Sequence, residues 1–279
     1  MPIQFILKNG VRTFDRRLDR VPVFDGRSLN YRIGDALDES QQQRLVTKQW
    51  TAPAGTPVLD QGQEGACVGF GTTNELLWNP VPVPNLDNTF AREKIYWVAQ
   101  EDDPWPGGSY PNASPVYEGT GVLYGIKAAA DLGYYTEYRW AKSEKELALG
   151  VGHLGPAIIG VDWYAHMFEP DPSGFIHPTG GKQGGHCTLL TGINVELGYY
   201  TLHNSWGSSW GDNGDCKIKR TDMAKLLADS GEACIITGRS VPQPTKTQAE
   251  DKAEEILPDD ERSGLKKAFD EVKSWVEGL

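Results

Sequence analysis

The sequence predicts an α+β protein. Within residues 51–239, helix-like patterns come first and short strand-like runs follow, an order that favours segregated helices and strands over alternating βα units. The runs are separated by Gly and Pro, whose 32 and 18 copies make up about 18% of 279 residues, enough for many turns yet below the low-complexity range. The set AVILMFWYC supplies 39% of the chain, and exchanging its 11 Tyr for the 32 Gly gives about 47%, the ordinary apolar fraction of a globular domain. A wholly disordered chain is thereby excluded.

Residues 1–50 are rich in Arg and turn residues and read as a lead-in or short pro-segment draped over a domain, with one short helix at 40–46. Residues 51–239 form the catalytic-domain candidate. There, 67–78 reads as a helix from the spacing of Val68, Phe70, Leu76 and Leu77, and Asn79-Pro80 ends it. A second helix at 120–132 has Val122, Ile126 and Ala129 on one face and Gly133 as its stop. Strands follow at 157–162, 187–193, 199–204 and 216–219, each bounded by Gly, Pro or Asn. Residues 240–262 are a polar linker containing Pro. Residues 263–279 place Leu265, Phe269, Val272 and Leu279 at helical spacing, an amphipathic helix whose Trp275 needs a surface, either this chain's own domain or a protein partner.

The chain carries 27 Lys and Arg against 38 Asp and Glu, a net charge of -11, which argues against nucleic acid as a partner. No apolar run approaches the roughly 18 residues of a membrane span. The opening MPIQFILKNG has too short an apolar run for a secretory signal. The expected location is cytoplasmic as synthesised, with later virion or extracellular association compatible, and the four Cys are expected as buried thiols. None of the five His has zinc-ligand spacing, so neither a metal nor another cofactor is expected.

The chemistry concentrates in PVLDQGQEGACVGF, residues 57–70, which sets Gln61 six residues before Cys67. A Cys at the positive end of a helix dipole has a stabilised thiolate, and the first helical N–H groups with a side-chain amide beside them suit an oxyanion. A thiolate nucleophile also needs a base and a group that orients it. His186 stands in Gly184-Gly185-His186-Cys187 at a strand start, and Asn204 precedes Ser205-Trp206-Gly207 in YYTLHNSWGSSWG. An Asn carbonyl accepting the imidazole N–H fixes tautomer and orientation, and an indole over that bond keeps water away. His203 and Cys187 alternate to the opposite strand faces from Asn204 and His186 and read as packing residues.

In these residues the sequence resembles the papain-like cysteine peptidases. LDQGxxGACVGF, GPAIIGVDW with a downstream GFI, GGHCTLLTGI and HNSWGSSWGDNGDCKI match the family's order over residues 58–236. The overall style is similar to the actinobacterial and phage versions. The resemblance implies two lobes, a helical one carrying Cys67 and an antiparallel β-barrel carrying His186 and Asn204, with a cleft between. It also implies a peptide or protein substrate. Cys67 would be the nucleophile, His186 the base, Asn204 its orienting partner and Gln61 an oxyanion donor. Gly119 and Thr120 would stand at the family's Gly-rich wall, with Gly185, Trp206 and Trp163, the last in a loop after the GPAIIGV strand, also lining the substrate site. The sequence departs from the pattern at Val68, where the family has Trp, and at Glu64, where a disulfide-forming Cys is frequent. An inward Glu64 would raise the thiol pKa; an outward one is merely solvated. Two other functions fit the residues: a papain-fold binding or assembly protein, and a hydrolase of cell-wall peptides or isopeptide bonds.

Overall fold

The computed structural model describes residues 5–242, apart from 8, 9, 11, 16 and 24. The expected terminal helix and almost all of the linker lie outside the described residues.

The elements are β1 (Phe5–Ile6), β2 (Arg12–Thr13), α1 (Glu39–Gln43), β3 (Lys48–Gln49), α2 (Cys67–Leu77), a π-helical stretch (Phe90–Tyr96) running into α3 (Trp97–Asp102), α4 (Val122–Asp131), β4 (Tyr135–Trp140), α5 (Glu144–His153), β5 (Ala157–Tyr164), β6 (Lys182–Asn194), β7 (Tyr199–His203), β8 (Asp215–Lys219), α6 (Arg220–Asp229) and β9 (Glu232–Arg239). β1 pairs with β2. The other strands form one sheet in the order β4-β9-β5-β6-β7-β8, with β3 added to β6, and every pairing is antiparallel. No pairing of β4 with β8 closes this sheet among the described residues.

Strand alternation sends side chains to two cores. Ile158, Cys187, Leu189, Cys234 and Ile236 face a cluster built with α2, the π-helical stretch and α4. Ile159, Val161, Leu190, Ala233 and Ile235 face a second cluster with α5 and α6. Every residue of α2 is buried, so neighbours must approach it on all sides. Two glycines make that possible: a Cβ on Gly69 would lie 2.5 Å from the Ala91 carbonyl, and one on Gly71 would lie 2.8 Å from the Cys187 sulfur.

Val68 has a physical reason in the same packing. Its Cγ1 lies 2.7 Å from where a Cβ on Gly125 of α4 would stand, leaving no room for an indole. Val68→Trp, the residue usual in the family, should therefore destabilise the protein by about 1–3 kcal/mol through overpacking. Chemical denaturation reads this; an unchanged midpoint would contradict the packing argument.

The first expected helix is shorter than 40–46. A capping box between Asp38 and Gln41 starts it at Glu39, and it stops at Gln43 because Leu45 turns inward against the second core. α2 and α4 form close to the expected bounds, and Gly133 follows α4 with φ +82°. Each expected strand is present, but β5 runs on to Tyr164, so Trp163 lies in a strand rather than in the loop expected for it. α5 was not expected, although its Ser143 cap accepting the Glu146 N–H is a recognisable start.

Candidate active site

Three segments converge at the N-terminus of α2. The Gln61 N–H bonds to the Ser205 carbonyl at 3.0 Å and the Gly207 N–H to the Leu59 carbonyl at 3.1 Å, which brings the 59–61 loop onto the 205–207 turn. β6 passes beside α2, and the Cys187 N–H donates to Cys67 Sγ at 3.3 Å. Cys67 thus opens α2 against Cys187, the residue that follows His186 on β6, with Gln61 and Asn204 held on the adjoining loops.

His186 is fully buried, and its Nε2 lies 2.8 Å from Asn204 Oδ1. The same oxygen accepts the Ser205 N–H at 2.8 Å, which fixes the amide orientation. Two indoles enclose the imidazole. Trp206 lies at 4.8 Å between centroids and Trp163 at 4.7 Å, near edge-on. Trp163 is fully buried beneath the imidazole, so it supports His186 rather than forming an open wall. Burial holds the His186 pKa down at about 4, against the upward pull of its bond to Asn204, and the Arg17 charge lowers it further. His186 Nδ1 has no hydrogen-bond partner among the described residues.

Gln61 is held at both ends of its amide. Its Oε1 accepts from Ser205 Oγ at 2.8 Å, and its Nε2 donates to the carbonyls of Glu64 at 2.9 Å and Arg17 at 3.2 Å. Ser205, adjacent to Asn204, was not singled out in the sequence, although it orients this amide.

The lead-in crosses the site. The Phe14 N–H bonds to Gln183 O, the Arg20 N–H to Gly185 O at 3.1 Å and the Val21 N–H to Thr120 O at 2.9 Å, so the described residues of 13–21 lie as a strap between β6 and the start of α4. Asp19 and Arg20 form parallel bridges to Gly185 and Thr120. Glycines admit this backbone. A Cβ on Gly185 would lie 2.3 Å from the Arg20 carbonyl, and one on Gly119, whose φ is +99°, 2.8 Å from the Asp19 carbonyl. The Arg17 guanidinium lies over the Trp206 ring at 4.2 Å. Gly119, Thr120, Gly185 and Trp206 therefore all contact the strap.

Asp19 reaches the sulfur. Its Oδ1 accepts the Cys67 N–H at 3.2 Å and lies 2.5 Å from Cys67 Sγ, while its Oδ2 is buried without a partner among the described residues. Burial pushes the Asp19 pKa well above the usual carboxylate range; bonds from Cys67 oppose the rise and the nearby Glu118 adds to it. Burial likewise pushes the Cys67 thiol pKa well up, with Asp19 and Cys187 adding to the rise. The helix-dipole expectation of a stabilised thiolate is overridden in this strapped state. The carboxyl near the sulfur is Asp19 rather than Glu64, which instead pairs with Arg92 and sits within 3.5 Å of Ser109 Oγ.

All four cysteines are free and buried. His203 bonds to Asp215 at 2.6 Å and packs on Trp78, in keeping with a structural role.

The fold has a solved counterpart: xylellain, a cysteine protease from Xylella fastidiosa, is similar with a TM-score of 0.60 and 15% identity, covering 82% of this chain and 99% of that chain. A family model described as papain family cysteine protease matches residues 109–238. The fold is papain-like. Among curated relatives, cathepsin B of Dictyostelium discoideum is 48% identical over 50 residues, 17% of this chain and 16% of that protein. Human cathepsin O is 26% identical over 173 residues, 61% of this chain and 47% of that protein. The papain-like match thus spans less than half the length of either relative. The strand set, the His186–Asn204 contact and the placement of Cys67 at a helix start all lie on this papain-like frame.

Proposed function

We propose that this chain is a cysteine peptidase that residues 13–21 hold latent. The observation that supports the reading is that strap oxygens occupy the Cys67 N–H and the Gln61 amide, while His186, bonded to Asn204, precedes Cys187, whose N–H donates to Cys67 Sγ. The protease names of the relatives support the same reading.

With the strap lifted, His186 Nδ1 takes the proton of the Cys67 thiol, and the sulfur attacks the substrate carbonyl carbon. The carbonyl oxygen, now negative, accepts the Cys67 N–H and the Gln61 Nε2–H. His186 then gives its proton to the leaving amine, the C–N bond breaks, and water, deprotonated by His186, releases the acid from the thioester. Asn204 Oδ1 holds the Nε2–H through both halves, and Trp163 and Trp206 keep water from that bond.

A peptide bearing a thiol-reactive group should label Cys67 and leave Cys187, Cys216 and Cys234 unmodified. Equal labelling of a Cys67→Ala variant would overturn the reading. Asn204→Ala should lower kcat/KM by about 10- to 100-fold without abolishing turnover, the range expected when one hydrogen bond to a charged group is lost. Wild-type rates in that variant would mean the 2.8 Å contact has no part in catalysis.

A further inference from the structure

The Asn204 amide is anchored at one end only. Its Oδ1 serves His186 and the Ser205 N–H, whereas its Nδ2 has no hydrogen-bond partner among the described residues. The nitrogen end therefore does not aim the amide, and the backbone beneath it must set where Oδ1 stands. That backbone is pinned across β7 and β8. The Asn204 N–H donates to the Gly214 carbonyl at 2.8 Å. One residue earlier, His203 ends β7 and pairs in register with Asp215, which opens β8. His203 Nδ1 lies 2.6 Å from Asp215 Oδ1, so a ring N–H donating to the carboxylate ties the rung on which Asn204 stands.

The imidazole is enclosed. It is buried and packs on Trp78 at 4.4 Å between centroids, and Trp78 caps the end of α2, the helix that Cys67 opens. Gly214 makes room for it: φ there is +89°, and a Cβ would lie 3.0 Å from His203 Cε1 and 2.9 Å from Val58 Cγ1. The His203 carbonyl accepts the Thr188 Oγ1–H at 2.6 Å, two residues beyond His186 on β6. His203 thus joins the strand carrying His186, the turn carrying Asn204 and the far end of the helix carrying Cys67. We propose that His203, through its bond to Asp215, is a positioning residue that fixes Asn204 Oδ1 against His186. The proposal rests on the peptidase reading for its effect on turnover and on geometry alone for its effect on the His186–Asn204 bond. Such a bond weakens steeply once donor and acceptor are turned apart, so a small shift of the 203–204 backbone reaches the imidazole.

Two substitutions separate positioning from packing. His203→Leu keeps an apolar side chain against Trp78 and removes the ring N–H, leaving Asp215, whose side chain is 43% exposed, to water. His203→Asn keeps a donor near the place of Nδ1. In the full chain, kcat on a peptide should fall about three- to tenfold in His203→Leu with KM unchanged, and return towards the wild-type value in His203→Asn. In an Asn204→Ala background the same His203→Leu change should alter kcat by less than about twofold, because no amide remains to be aimed. Equal losses in both backgrounds, no loss in His203→Leu, or an equal loss in His203→Asn would overturn the proposal. If His203→Leu does not fold, Asp215→Ala removes the same bond at an exposed side chain and is read the same way. Proton NMR of the full chain needs no turnover: the His186 Nε2–H signal, identified by its loss in His186→Gln, should shift and exchange faster in His203→Leu and hold in His203→Asn. Failure of Cys67 labelling would remove the peptidase reading and leave this signal to decide, an unmoved resonance in His203→Leu overturning the proposal.

Discussion

Arg20→Ala in the full chain is expected to raise the rate at which a thiol-reactive peptide labels Cys67 by about 100- to 5,000-fold, because an uncompensated buried charge costs about 3–5 kcal/mol. In the strapped state the guanidinium is the cation paired with Glu232, whose side chain is 13% exposed. Without it the strapped state bears the cost of a carboxylate shut away from water, whereas the lifted state opens Glu232 to solvent and escapes that cost. The labelling rate reports the lifted population, since Cys67 is fully buried while the strap is seated. Arg17→Ala is the matched control. Its guanidinium stacks over Trp206 and pairs with Asp15 at 2.8 Å, both sides about one quarter exposed, so its removal should change labelling only a few fold. An Arg20→Ala rate equal to that of the unaltered chain would mean that residues 13–21 do not limit access to the sulfur.

This strap is where the sequence was least legible. Cys67, His186, Asn204 and Gln61 stand in local patterns dictated by their chemistry: a Cys at a helix start, a His entering a strand beside glycines, an Asn before Trp206. Such patterns survive reading one residue at a time. Asp19 and Arg20 lie in a stretch with no sustained periodicity, and their partners, Cys67 and Glu232, are 48 and 212 residues away, so only the folded chain reveals them. β9 was missed for a different reason. Its run Ala233–Cys234–Ile235–Ile236 is apolar on both sides because both cores receive it, and a strand buried on two faces lacks the alternation that marks one buried on a single face. Trp163 reads as a loop residue because Asp162 interrupts the apolar run; that carboxylate stays in the strand, paired with Lys182 at 2.5 Å. Glu64 was weighed as a partner of the thiol or of solvent, and Arg92, 28 residues on, took it instead.

Asp19 would give the proposed latency a pH dependence whose sign follows from its proton. In the strapped state burial raises its pKa well above 3.8, whereas a strap lifted into water returns the carboxyl to its ordinary range. Between those two values the strapped state holds one more proton than the lifted one. Its stabilisation by Asp19 is therefore complete below about 3.8 and is lost as pH rises through the raised pKa, changing the lifted population by up to about tenfold per pH unit within that window. His186 works from the other side. Its pKa of about 4 when strapped lies below the ordinary 6.5, so its contribution is present above 6.5 and is lost as pH falls towards 4. Alkylation of Cys67 measured over pH 5 to 8 in wild type and in Asp19→Asn separates the two, because both proteins keep His186 and only the first can ionise position 19. The ratio of wild-type to Asp19→Asn rates should climb with pH, since the amide stays neutral in a space that disfavours a carboxylate beside Cys67 and Glu118. A flat ratio would mean that Asp19 does not change protonation when the strap lifts, and the latch would then have to be attributed to the Arg20–Glu232 pair alone.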